Sequence, residues 1–148
     1  MKIGVPREIK NHEYRVGLVP EAVRGLAAAG HEVTVETGAG TAIGFSDQDY
    51  AAAGARVAAG AEETFRGAEL IVKVKEPQPE ECRRLTRDHV LFTYLHLAAD
   101  RAQAEALMAS GCTAIAYETV VGPDGSLPLL MPMSEVAGWM SIQEGAKY

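Results

Sequence analysis

The feature that most restricts the fold of this chain is an alternation. Short β-branched or aromatic runs give way to helix-like segments roughly every 20 residues, about six times over. Strand-like runs fall at 2–5, 31–37, 55–58, 70–74, 90–94 and 113–117. Between them the local signals favour helices. Pro20 suits a first helical turn, Ser46 with Asp49 reads as a capping box, and Asp100 can cap a helix that Gly111 ends. A further helix, rich in small residues, is expected to open at Ser134. This rhythm selects an α/β fold with a doubly wound, mostly parallel sheet, because each parallel pair needs a long crossover connection.

In such a sheet, ligands bind at the carboxyl ends of the strands. Two runs therefore stand out, because each closes on a reactive group: IVKVKEP carries Lys73 and Lys75, and LFTYLHLAA carries His96. Lys73 and Lys75 share a face in an extended segment. Only Lys75 lies at the carboxyl end, which leaves Lys73 for a structural part. Apolar flanks predict that His96 is buried, which would lower its pKa and keep it neutral near pH 7, as an acid/base catalyst needs. A lone histidine in an apolar setting is more often a structural residue.

The segment 6–16 is dense in charge, has no period that would bury a face, and reads as a loop after the first strand. It holds Arg15, whose planar guanidinium suits bidentate capture of a carboxylate, although a loop arginine is ordinarily a solvated charge. The loop at 38–44 reads GAGTAIG. A dinucleotide fingerprint wants its third glycine where Ile43 stands, so an ordinary tight loop is the better reading. Ser134 is read as a helix cap, although a capped N-terminus is also a natural anion contact. Glu118 is read as a solvated loop carboxylate.

Composition narrows the function classes. A net charge of −6 argues against nucleic acid or an anionic membrane as partner, since either favours a basic face. Cys82 and Cys112 have no CxxC spacing, so neither a metal site nor a disulfide framework is read, and a reducing cytoplasm is expected. The start, MKIGVPREIK, has no apolar core of a signal peptide, and no run reaches the ~18 apolar residues of a membrane span.

Six blocks in collinear order carry a resemblance: MKIGVPREIKNHEYRVGLVP, HEVTVETGAG, LIVKVKEP, LFTYLHLAA, AIAYETV and LPLLMPMSEVAG. Together they resemble the amino-terminal part of bacterial alanine dehydrogenase, which interconverts L-alanine with pyruvate and ammonia using NAD. The resemblance implies that Arg15 and Lys75 hold the substrate, that His96 is the catalytic acid/base, and that Ser134 contacts NAD. It further implies a flavodoxin-like substrate domain over 1–128. An interdomain helix would start within 129–148 and lead to a Rossmann domain that binds most of the NAD and is absent from these residues. The fragment alone is therefore expected to be inactive, and the family's assembly implies a hexamer. The nearest alternative is the α-subunit of proton-translocating transhydrogenase, a family whose members lack the lysine of KVKEP and the histidine of YLHLA. A lysine-forming saccharopine dehydrogenase is a weaker enzyme alternative, and a non-catalytic binding or assembly module is the alternative from another class.

Overall fold

A computed structural model describes all of residues 1–148. Its strands and helices alternate as the pattern requires. They are β1 (Lys2–Val5), α1 (Pro20–Ala28), β2 (Glu32–Glu36), α2 (Asp47–Ala52), β3 (Arg56–Ala58), α3 (Ala61–Arg66), β4 (Leu70–Val72), α4 (Pro79–Cys82), β5 (Val90–Thr93), α5 (Arg101–Ser110), β6 (Thr113–Ala116) and α6 (Met131–Gly145). The local signals act where expected. Ser46 and Asp49 close a capping box on α2, Asp100 accepts the Gln103 amide at the start of α5, and Gly111 ends α5 in the left-handed region.

The six strands form one sheet in the order β3-β2-β1-β4-β5-β6. Pairings β1–β2, β1–β4, β2–β3 and β4–β5 are all parallel. Without the short edge strand β3, the other five run in the flavodoxin-type order. The chain builds outward from β1 through β2 and β3, then returns to β1's other side to lay down β4, β5 and β6. The reversal lies between β1 and β4, and a crevice opens at such a point beyond the strand ends.

Helices on both faces bury the central strands, which is why these read as continuous apolar runs rather than alternating ones. Val5, Val35, Ile71 and Leu91 are almost wholly shielded, each side chain contributing about 1.5–3 kcal/mol by leaving water. The glycine-rich loop is accounted for by packing. A side chain at Gly40 would meet the Tyr50 ring at 2.8 Å, while Asp47 accepts the Gly38 amide and the Thr37 hydroxyl.

The chain divides into two compact units, Met1–Ile115 and Ala116–Tyr148. Within the second, Gly122 and Ser126 close the expected turn, and α6 is exposed along nearly all its length. No helix is long and apolar enough to cross a membrane. One local expectation fails here. Ser134 does not cap α6, because the helix already begins at Met131; its hydroxyl instead donates back to the Leu130 carbonyl at 3.4 Å. Strands β4 and β5 also stop earlier than their apolar runs suggest, at Val72 and Thr93. Lys73–Lys75 and Tyr94–His96 thus belong to the loops beyond the strands.

Candidate active site

Because the strands are parallel, the loops after β1, β4 and β5 leave the same edge of the sheet. These three loops carry Arg15, Lys75 and His96. The first two flank the β1/β4 reversal directly.

Arg15 reaches its place through a close backbone approach. A Cβ on Gly17 would lie 2.5 Å from the Val72 carbonyl oxygen, so only glycine lets the loop after β1 lie against the end of β4. Val16, buried in the core, anchors the same turn. The Arg15 guanidinium then grips Glu13 bidentately, with Nε donating to Oε1 at 2.8 Å and Nη2 donating to Oε2 at 2.6 Å. The Arg15 amide adds a third bond to the same carboxylate. These hydrogen bonds hold the Glu13 carboxyl at about 2, and the positive charge of Lys75 adds to the effect.

Lys75 is half-buried and its Nζ sits 5.1 Å from the centroid of the Tyr94 ring, a cation–π distance. Tyr94 in turn meets His96 edge-on, at 5.7 Å between ring centres and 81° between planes. The Thr93 hydroxyl donates to the Lys75 carbonyl at 2.8 Å, and the Gln103 side-chain Nε2 donates to the Leu95 carbonyl at 2.9 Å. The lysine and histidine loops are thus pinned from β5 and α5.

His96 departs from expectation. It is exposed rather than buried, and it adopts φ 48°, ψ 41°, a left-handed conformation uncommon for a residue other than glycine. Its apolar neighbours do not cover it. Leu95 turns into the core while Leu97 faces outward, so the run splits between two environments at the histidine itself. Held strain of this kind clusters at functional sites. Ser134 lies on α6 in the second unit, with an exposed hydroxyl.

The two lysines of KVKEP part company. The Lys73 side chain is wholly buried between two buried carboxylates, 3.0 Å from Glu8 and 2.7 Å from Glu81. One ammonium cannot fully compensate two carboxylates out of water, and burial pushes the Glu81 carboxyl up. Nothing in the sequence marks Glu8 or Glu81 as partners. Glu8 sits in a run of surface-like charges, and Glu81 looks like an ordinary first-turn acid of α4. Glu13 and Tyr94 were equally silent. Gly17 alone left a trace, as a glycine in a loop with no turn signal around it.

A cavity of about 350 Å³ opens beside this region, lined in part by Lys10, Glu76, Asp100 and Gln103. Another, of about 570 Å³, lies around Cys82, Arg83 and Ser110 and includes none of the candidate residues.

The domain family described as Alanine dehydrogenase/PNT, N-terminal domain, matches residues 4–137. The chain belongs to this family. Among the family's curated members, the alanine dehydrogenase of Halomonas elongata is 57% identical over 146 residues, which are 99% of this chain and 39% of that protein. A solved L-alanine dehydrogenase superposes with a TM-score of 0.93 at 57% identity, over 99% of this chain and 40% of that one. A transhydrogenase structure from Sinorhizobium meliloti matches less well, with a TM-score of 0.74 at 30% identity over 80% of this chain and 35% of that one. The chain thus spans about two fifths of the length of the alanine dehydrogenases it matches. Within the alanine dehydrogenase/PNT family it stands on the dehydrogenase side by both measures.

Proposed function

We propose that this chain is the substrate-holding part of an alanine dehydrogenase, which converts L-alanine, NAD and water to pyruvate, ammonia and reduced NAD. The observation that carries the reading is the bidentate grip of Arg15 on a carboxylate, that of Glu13, in the loop that packs against the end of β4, where Lys75 emerges beside the reversal point of the sheet. A place that already stabilises a side-chain carboxylate suits the carboxylate of alanine or pyruvate. On this reading Arg15 fixes the substrate carboxylate. Lys75, held between the Tyr94 ring and the end of β4, donates to the pyruvate oxygen. Such fixing of the reacting carbon can lower a barrier by several kcal/mol.

His96 moves the protons. It accepts one from the water that adds to the substrate carbon and returns one to the departing nitrogen. Its place on an exposed loop beyond β5 puts the residue at the solvent-facing edge of the site. Bound NAD would supply the hydride-accepting chemistry at the alanine carbon. The residues of this chain fit NAD only as a contact. The Ser134 hydroxyl is exposed, and its 3.4 Å bond to Leu130 is long enough to exchange for another acceptor, whereas the 38–44 loop lacks the dinucleotide glycine pattern. The main nucleotide site therefore belongs to a Rossmann domain beyond these residues. A cytoplasmic, hexameric enzyme is part of the same reading.

The test is steady-state kinetics on the full-length polypeptide that carries this segment. NAD-dependent oxidation of L-alanine is expected, with the KM for pyruvate raised strongly in Lys75→Ala. Absence of alanine oxidation, or an unchanged KM in that variant, overturns the reading.

A further inference from the structure

The Glu8 carboxylate makes an unusual set of contacts for a loop residue. Its Oε2 accepts from the buried Lys73 ammonium at 3.0 Å. Its Oε1 accepts from the backbone amide of Val74 at 2.6 Å and reaches the amide of Lys75 at 3.4 Å. A single buried carboxylate from the loop after β1 thus takes hold of three consecutive residues at the end of β4. Lys73 and the two amides all point at it.

From the other side, the same three residues are held by β5. The Lys73 amide donates to the Phe92 carbonyl at 3.1 Å, the Tyr94 amide donates to the Val74 carbonyl, and Thr93 donates to the Lys75 carbonyl. Beyond Val72 the chain has left the strand, so these bonds take the place of the regular ladder. The Glu8 side supplies the charge-assisted bonds, which are the stronger and more directional ones.

We propose that Glu8 is a positioning residue for Lys75, its carboxylate clamping the Val74 and Lys75 amides against the buried Lys73 so that the Lys75 ammonium is presented at a fixed place in the substrate site. The proposal rests on the reading of Lys75 as a substrate contact. Lys73 is the buried counter-charge that keeps the Glu8 carboxylate aimed. This assigns a purpose to the paired lysines: the first anchors the clamp and the second meets the ligand. It also ties the loop that carries Arg15 to the loop that carries Lys75, since Glu8 and Arg15 share the connection after β1.

The test is a double-mutant cycle on the full-length enzyme, with KM for pyruvate as the readout and thermal melting as the folding control. Glu8→Gln is expected to raise KM about tenfold in the otherwise native enzyme and to change it by less than about twofold in a Lys75→Ala background, because the two act through one contact. A general loss of fold would add equally in both backgrounds. If Glu8→Gln gives no folded protein, Glu8→Asp is read in the same cycle; it keeps the charge opposite Lys73 but draws the carboxylate back by one methylene from the amides. Raised KM in Lys75→Ala with an additive effect of the Glu8 substitution overturns the positioning role and leaves the site reading standing. Unchanged KM in Lys75→Ala overturns both.

Discussion

Lys73→Met tests whether the buried ion network holds the end of β4. The Lys73 side chain is fully shielded, and its partners Glu8 and Glu81 are each 2% exposed. Methionine has nearly the right length but leaves two carboxylates buried without the ammonium both contact. Breaking a buried pair by removing one partner costs about 3–5 kcal/mol. For a chain of this size each kcal/mol corresponds to about 2–4 °C, so the melting temperature should fall by about 6–20 °C.

The loss should depend on pH with a definite sign. Burial raises the folded-state pKa of Glu81 above its ordinary 4.5. Between that ordinary value and the raised one, the folded form binds more protons than the unfolded form, so stability declines as pH rises. Without Lys73 the decline steepens, because the charge that opposes the shift is gone. The gap between native and variant protein should therefore widen as pH rises above 4.5 and narrow toward it. The melting transition of this domain, followed within the full-length protein across that range, supplies the measurement. A variant melting within about 2 °C of the native protein at pH 8, with no pH trend, would refute the reasoning.

Three further outcomes follow from neighbouring contacts. Gly17→Ala places a methyl 2.5 Å from the Val72 carbonyl oxygen, and relief to 3.4 Å displaces the Arg15 loop by roughly 0.9 Å, which can cost on the order of a hundredfold in kcat/KM for alanine; kinetics at native levels would count against the close approach. Glu13→Gln should be less stable than the native protein above pH 4.5, where the Glu13 carboxylate is charged in both states, and the difference should fade as pH falls toward about 2, the folded-state value. Paired acid melts read that trend, and a difference that grows on acidification would contradict it. Gly40→Ala forces its new methyl against the Tyr50 ring at 2.8 Å and should destabilise the fold by about 1–3 kcal/mol in denaturant titrations without changing the KM for pyruvate.

The sheet was legible because its signals are local and repeated. Apolar runs bounded by Gly, Pro, Ser and Asp mark each element, and the capping pairs Ser46–Asp49 and Asp100–Gly111 act where they stand in the sequence. The strand ends were harder to read. Val74 and Tyr94 continue their apolar runs, but the parallel ladder stops before them, and side-chain bonds from Glu8 and Thr93 take over. His96 misled for a related reason: its neighbours describe the core below and not the left-handed turn that lifts the ring outward. Burial of Lys73 and Glu8 was invisible, because the two partners lie 65 residues apart and nothing local singles out Glu81, eight residues after Lys73, as the second carboxylate. Ser134 looked like a cap because a hydroxyl before a helical pattern usually is one, yet the helix starts a turn earlier, through Pro132.

The most direct measurement of the central claim is NAD reduction by L-alanine with the full-length polypeptide and its His96→Ala variant, with circular dichroism to show that both are folded. Robust turnover by the native protein and loss of about a hundredfold or more in kcat for the folded variant is the result expected of a proton-transferring His96. Undiminished turnover in folded His96→Ala would contradict it.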